Sequence, residues 1–347
     1  MATRRPWSRR RALIGSLAVL AAIVTLDIVF PDITLSASYA VAAVVAAAMT
    51  TVRRTAQVAL LSLVLSVASG SWNQNFGSLD WTLRMLLTVG LGALAVLSAR
   101  TRIRREHDLR HMTVIADTAQ RALLRAMPTS VGSVGFAARY ISATREAHVG
   151  GDLYEVAASP YGVRVIVGDV RGKGLDAVQM AGTVLGAFRR SAFTQPSLAA
   201  IATDLDAVVT AVAGDEDFVT AVLAEFHDDH TMTLVNCGHH PPVLVTGSEG
   251  VALVTTGAPE PPLGLGPVPH PVTSRWPGGS RLLIYTDGLV EARDGRGAFF
   301  PLADHAPALG VGSLDDALDR LLDRLGDHAG ERIDDDMALV LVEHLAT

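Results

Sequence analysis

The chain has 347 residues, 49% of them hydrophobic, and a net charge of −6. Residues 1–127 hold 15 Arg against 6 Asp and Glu, whereas residues 128–347 hold 29 Asp and Glu against 14 Arg and Lys, so two parts with different surroundings are expected. The acidic half repels nucleic acid and the arginines of the basic half flank apolar runs, which excludes a nucleic-acid partner; the single cysteine, Cys237, excludes an intrachain disulfide and reads as a small buried thiol.

Four apolar stretches precede residue 100, at 12–30, 35–49, 56–69 and 81–98. About 20 apolar residues cross a bilayer. The first and last stretches have that length, and the middle two reach it only with polar flanks such as Thr50, Thr51 and Thr55. The pattern predicts an all-α transmembrane bundle of four helices over residues 1–99, bathed in membrane lipid. No small-residue cleavage site follows Phe30, which argues against a signal peptide.

Arg4, Arg5, Arg9, Arg10 and Arg11 precede the first stretch, and Arg53 and Arg54 separate the second from the third. Arg100, Arg102, Arg104 and Arg105 follow the fourth, while loops 31–34 and 70–80 contain no Lys or Arg. Positive residues stay on the cytoplasmic side. A multi-pass protein of the inner (plasma) membrane is expected, with both termini in the cytoplasm and no charged residue inside its spans.

Residues 100–127 read as one polar linker helix stopped by Pro128. Leu109, Met112, Ala116, Ala119, Leu123 and Ala126 recur at spacings of three and four. That pattern suits a short coiled-coil seam, hence a parallel homodimer, or equally a helix packed on the next domain.

From Gly135 onward short β-rich runs alternate with Gly, Pro and Asp turns. Strands are predicted at 161–170, 218–226, 232–237, 242–246, 281–285 and 337–342, and helices at 175–193, 198–213 and 314–329. Residues 128–347 are therefore expected to be one α+β domain with mostly antiparallel sheets.

Four places put aspartate at the end of an apolar run beside glycine or another acid: Gly150-Gly151-Asp152, Val167-Gly168-Asp169-Val170, Tyr285-Thr286-Asp287-Gly288 and Asp334-Asp335-Asp336. Carboxylates at strand ends can share a cleft, and several cannot stay ionised together without a cation between them. All-oxygen ligation favours a hard ion, Mg²⁺ or Mn²⁺. One Asp-Gly alone is usually only a turn.

The runs VGGDLYEV, VIVGDVRGKGLDAVQMAG, DFVTAVLAEF, LVNCGHHPPVLV, PPLGLG, LLIYTDGLVEARD and DDMALVLV, in that order over residues 135–345, resemble the metal-dependent protein phosphatases (PPM) of the bacterial SpoIIE/RsbU-type branch. The resemblance implies an α/β/β/α sandwich and a two-metal site at one edge, loaded with two Mn²⁺ or Mg²⁺ ions. By motif, Asp169 matches the carboxylate bridging both ions, with the Val170 carbonyl beside it. Asp152 matches the acid of the first ion, Asp287 and Asp335 those of the other, and Asp336 a supporting acid. The branch usually has Asp where this chain has Glu155, a side chain one methylene longer. The implied reaction is hydrolysis of phosphoserine or phosphothreonine on a protein, in this branch a STAS-type anti-sigma-factor antagonist, by a water activated between the two ions. No phosphoenzyme is needed, consistent with the absence of a Cys-x5-Arg loop at Cys237.

Other residues invite specific readings. Arg145 is placed to clamp phosphate, against the commoner surface arginine. Lys173, the chain's single lysine, precedes a predicted helix and faces an anion in one reading, but its loop lacks the Gly-Lys-Ser/Thr ending of a nucleotide-binding motif. His239 and His240 suggest zinc, yet a tight bend through Asn236, Gly238 and Pro241 is the simpler role. Two other functions compete with catalysis. One is a catalytically degenerate phosphatase fold acting as a signalling or binding module, which the Glu155 replacement supports. The other is a transporter, which four short uncharged spans disfavour.

Overall fold

The computed structural model describes residues 6–30, 35–142, 150–214, 216–247, 250–257, 259–330 and 335–345. These fall into two compact units that divide between His111 and Met112. The positions of Arg145 and Asp334 lie outside the described residues.

The first unit contains α1 (Pro6–Val29), a 3-10 turn (Ser36–Tyr39), α2 (Ala40–Met49) and α3 (Val52–Trp72), followed by α4 (Leu79–Leu123). Among the described residues three helices, α1, α3 and α4, are long and apolar enough to cross a membrane. The stretch expected as the second of four spans is instead a four-residue 3-10 turn followed by a ten-residue helix. Ten helical residues rise about 15 Å, half the ~30 Å hydrocarbon layer. Thr50 and Thr51 do not extend it. Thr50 is extended, and the Thr51 side chain accepts the Arg54 N–H as the cap of α3.

Small side chains bring the helices of this unit together: Ala42, Ala43, Ala46 and Ala47 of α2 are buried with Leu20, Val58, Ala95 and Ala99. A charged residue does stand inside it, contrary to expectation. Asp27 of α1 is fully buried, and its carboxylate accepts from Tyr39 Oη (2.6 Å), Trp72 Nε1 (3.1 Å) and Asn73 Nδ2 (3.2 Å). These donors make burial of the acid tolerable and tie the C-terminal ends of α1 and α3 to the 3-10 turn. At the other end of α2, Arg102 donates to the carbonyls of Ala47 (3.1 Å) and Thr50 (2.6 Å).

Residues 100–123 continue α4 rather than forming a separate linker helix, and the helix ends at Leu123, ahead of Pro128. The Leu123 carbonyl accepts from Arg189 Nη2 at 3.1 Å, a side-chain cap that releases the chain there. Of the predicted seam, Ala116, Ala119 and Leu123 pack against Val178 within the second unit, while Leu109 and Met112 stay exposed.

The second unit continues through β1 (Ser130–Val131), β2 (Val134–Ile141), β3 (Leu153–Ser159), β4 (Gly162–Val170), α5 (Leu175–Thr194), α6 (Leu198–Val212), β5 (Val219–Phe226) and β6 (Thr231–Cys237). It ends with β7 (Val243–Thr246), β8 (Gly250–Leu253), β9 (Val272–Arg275), β10 (Arg281–Tyr285), α7 (Leu302–His305), α8 (Leu314–Ala329) and β11 (Met337–His344). One sheet has the order β1-β2-β11-β10-β7-β8 and the other β3-β4-β5-β6-β9, paired antiparallel throughout.

Strand alternation sorts side chains into layers. Val165 and Val167 of β4, Val222 and Ala224 of β5, and Ala338, Val340 and Val342 of β11 face one another between the sheets. The opposite parity faces helices. Ile166 and Leu223 meet α5 and α6, whereas Leu339 and Leu341 meet α8. The result is the expected α/β/β/α sandwich. At one end of its strands Trp276 is buried between Phe226 (4.4 Å) and His344 (4.8 Å). The acidic turns lie at the other end.

Candidate active site

Asp152 immediately precedes β3 and follows two glycines. Gly151 is required by close approach, because a Cβ there would stand 2.7 Å from the Val170 carbonyl oxygen. That closeness lays the turn before β3 against the end of β4 and brings Asp152 beside Asp169. Asp152 is 2% exposed; its Oδ2 accepts from Thr286 Oγ1 at 2.8 Å, and its backbone carbonyl from Gln120 Nε2 at 2.8 Å. Asp169 is the penultimate residue of β4, opposite Thr220 of β5.

The second sheet supplies the facing wall. Asp287 follows β10 and starts a 3-10 turn, and Asp335 and Asp336 precede β11. Thr286 couples the walls, since its hydroxyl donates to Asp152 and accepts the Ala338 N–H at 2.8 Å. Asp336 is buried; its Oδ2 accepts from Gly150 N and from Tyr140 Oη at 3.3 Å. A Cβ on Gly150 would collide with that same oxygen, so glycine is needed there. Lys173 Nζ donates to both oxygens of Asp335, at 2.9 and 3.0 Å.

His239 ties β5 to β10. Its Nε2 stands 2.9 Å from the Tyr285 carbonyl, which can only accept, so Nε2 carries the proton and Nδ1 accepts from Thr220 Oγ1 at 2.8 Å. Burial and the neighbouring His240 lower its pKa to about 4, keeping the ring neutral. Both nitrogens are occupied, so the zinc reading of His239 fails, and the bend role holds: Asn236 donates to the His239 carbonyl and accepts its N–H. His240 lines the cleft, stacked 5.9 Å from Tyr285.

Asp152, Asp169, Val170, Asp287, Asp335 and Asp336 all line one cleft of about 310 Å³. Their charges oppose one another. Burial, then Asp287, pushes Asp169 up to about 7. Burial, then Asp169, raises Asp152 well above the usual carboxylate range, and burial, then Asp335, raises Asp287. Such a set of oxygen donors suits hard divalent ions in its chemistry. Among the described residues, however, no three acids are drawn tightly enough around one point to form a finished cage.

Glu155 is not in the cleft. Its parity along β3 turns it toward the helices, where Arg189 Nε donates to it at 2.6 Å. The extra methylene that distinguishes it from aspartate therefore bears on helix packing. Gln120, Tyr140 and Thr286 were not singled out in the sequence. Thr286 stood inside a recognised motif, whereas Gln120 and Tyr140 carry no local signal and are brought in by α4 and β2.

A family model described as stage II sporulation protein E (SpoIIE) matches residues 159–345, more than half of the chain. The chain belongs to the SpoIIE family. The match begins after Asp152, so that residue's place in the site rests on the geometry above. This SpoIIE-family chain is similar to the RsbU and RsbW domains of Rv1364c from Mycobacterium tuberculosis, with 26% identity and a TM-score of 0.51. The similarity covers 61% of this chain and 60% of that one, so the chain spans less than two thirds of that relative. The SiaA-PP2C domain of Pseudomonas aeruginosa aligns at 18% identity and TM-score 0.58, over 72% of this chain and all of that one. The PP2C phosphatase domain of SpoIIE from Bacillus subtilis, with a fragment of its regulatory domain, aligns at 18% and 0.51, over 60% and 62%. The second unit is a SpoIIE-family domain with the fold of PP2C phosphatase domains.

Proposed function

We propose that this SpoIIE-family chain is a membrane-anchored protein-serine/threonine phosphatase whose aspartates hold two Mn²⁺ or Mg²⁺ ions. The observation carrying this reading is the convergence of five aspartates, from the ends of strands in both sheets, on one cleft. When bound, the ions lower the pKa of water at the site and offset charge on the phosphoryl oxygens. The chain's own residues do the rest. Asp169 and the Val170 carbonyl stand at the end of β4 beside Asp152, and by the resemblance Asp169 would contact both ions. Asp152, steadied by Thr286, would serve one ion, and Asp287 and Asp335 would serve the other, with Asp336 held in support by Gly150 and Tyr140. His239, as a neutral strut, keeps β5 and β10 at fixed spacing, so the acids are held together on one cleft despite their mutual repulsion.

The substrate we infer is a phosphorylated protein, a STAS-type anti-sigma-factor antagonist in line with the resemblance. The three span-length helices support multi-pass anchoring, and the arginine-rich loops support a phosphatase domain on the cytoplasmic side of the plasma membrane. A homodimer through the α4 seam would rely on Leu109 and Met112, because Ala116 is buried and Ala119 and Leu123 are half-buried against Val178, while Ala126 lies beyond the end of α4. The degenerate-module reading loses its motive, since Glu155 lies outside the cleft. The test is Mn²⁺-dependent hydrolysis of p-nitrophenyl phosphate and of a phosphorylated STAS protein by the chain in lipid nanodiscs. We expect turnover by the wild type, a loss of at least 100-fold in Asp169→Asn, and release of bound Mn²⁺ from that variant. No turnover of either substrate with Mn²⁺ or Mg²⁺ defeats the proposal.

A further inference from the structure

Lys173 is the single lysine of the chain and stands on the turn between β4 and α5. Gly172 (φ 110°) and Gly174 (φ 87°) flank it, both in a backbone region that L side chains avoid. The turn therefore presents one cationic side chain at the cleft between two residues that have none. Among the described residues of the lining, Arg171 is the other strong cation, and it is turned aside. Its guanidinium donates to the Glu216 carbonyl (2.7 Å) and carboxylate (3.2 Å) and lies over the Phe218 ring.

The ammonium of Lys173 straddles Asp335, 2.9 Å from one oxygen and 3.0 Å from the other. A divalent ion needs one of those oxygens at about 2.0–2.1 Å for Mg²⁺. Two cations cannot share that face of one carboxylate. The lysine side chain is 39% exposed on a flexible four-carbon stem, so it is free to leave. Displaced into the cleft it becomes a point-charge donor beside the place a phosphoryl group would occupy.

We propose that Lys173 is an exchange ligand: it holds Asp335 while the cleft is ion-free and, once a divalent ion takes that carboxylate, turns its ammonium to the phosphoryl oxygens of the substrate. This rests on the phosphatase reading above. Lys173 thereby sets the threshold of metal occupancy and contributes to phosphate recognition with one side chain.

The test uses the full chain in nanodiscs, Mn²⁺ titrated calorimetrically, and inorganic phosphate as an inhibitor of p-nitrophenyl phosphate hydrolysis. In Lys173→Met, removing the competing cation tightens the weaker Mn²⁺ site about two- to fivefold, the range of an exposed ion pair. In the same variant the inhibition constant for phosphate rises about tenfold, as for loss of a charged hydrogen bond. Lys173→Arg keeps phosphate inhibition within about threefold of wild type, which also shows that the turn tolerates substitution. Unchanged or weaker Mn²⁺ binding in Lys173→Met overturns the exchange, as does tighter Mn²⁺ with unaltered phosphate inhibition. A wild type that binds no Mn²⁺ removes the phosphatase reading and this inference with it; normal wild-type binding with no effect of Lys173→Met overturns the exchange alone.

Discussion

Asp169→Asn is expected to remove activity and yet stabilise the ion-free fold at alkaline pH. The Asp169 carboxyl is pushed up to about 7 from 3.8 by burial and then by the Asp287 charge. At pH 8 it is ionised in both folded and unfolded states, and a difference of about three units at ~1.4 kcal/mol each penalises the folded state by about 4 kcal/mol. Asp152 titrates with it, so the pair shares this penalty and the single substitution should recover about 2–4 kcal/mol. The sign follows from the order of the two pKa values. As pH falls from 8 the folded state binds its proton near 7, while the unfolded chain waits until about 3.8. Stability from this group therefore rises across that window and levels off below it.

His239 works in the opposite direction. Its folded pKa of about 4 lies below the ordinary 6.5, so below pH 6.5 the unfolded chain is favoured. The wild-type profile alone is thus ambiguous, but the variant-minus-wild-type difference cancels His239. Native-state hydrogen exchange of the β4 and β5 amides in EDTA measures it locally. The advantage of Asp169→Asn should be about 2–4 kcal/mol at pH 8, shrink to about 1–1.5 kcal/mol by pH 5 and vanish below about pH 4. Adding Mn²⁺ at 100 times its dissociation constant should stabilise only the wild type, by about 2.7 kcal/mol per site. A variant less stable than wild type at pH 8 in EDTA, or a difference that does not vary with pH, refutes the electrostatic account of this cleft.

Two further substitutions probe the supports of the site. Thr286→Val leaves the Ala338 N–H without its acceptor and Asp152 without its hydroxyl donor, so it should cost about 1–3 kcal/mol in urea unfolding and weaken Mn²⁺ about 10–100-fold by calorimetry. Arg189→Met strands the buried Glu155 charge and should cost about 3 kcal/mol or more, whereas the double change with Glu155→Met should recover most of it. Equal losses in the single and double variants would show that Arg189 acts by packing alone.

How much was legible in the sequence depended on whether a signal was local. The strands over 162–170 and 281–285 and the helix over 314–329 announce themselves by period and by capping, as where Ser313 accepts the Asp316 N–H. The fold class followed from their order. β2 was not seen because Ala137 and Ala138 have weak strand preference; its eight-residue pairing with β11 decides it. The six residues expected as metal ligands do line one cleft, since each lies at or beside a strand terminus on the same edge. The direction of Glu155 is not legible in the sequence, because a motif position does not reveal that its side chain turns to Arg189 rather than to the cleft. The buried Asp27 was overlooked among apolar neighbours, since its three side-chain donors come from residues 39, 72 and 73.

The two sheets resemble facing pages. β5 and β11 each run from the acidic edge to the far margin, where Phe226, Trp276 and His344 are stitched together. That aromatic stitching acts as a spine, whereas the acidic margin is held by Thr286 and His239 against mutually repelling carboxylates. Cations bound there would clip the pages shut, because Asp152 and Asp169 belong to one leaf and Asp287 and Asp335 to the other. Occupancy by metal would then govern how far the leaves can part, making mechanical stiffness and chemical competence two readings of the same event.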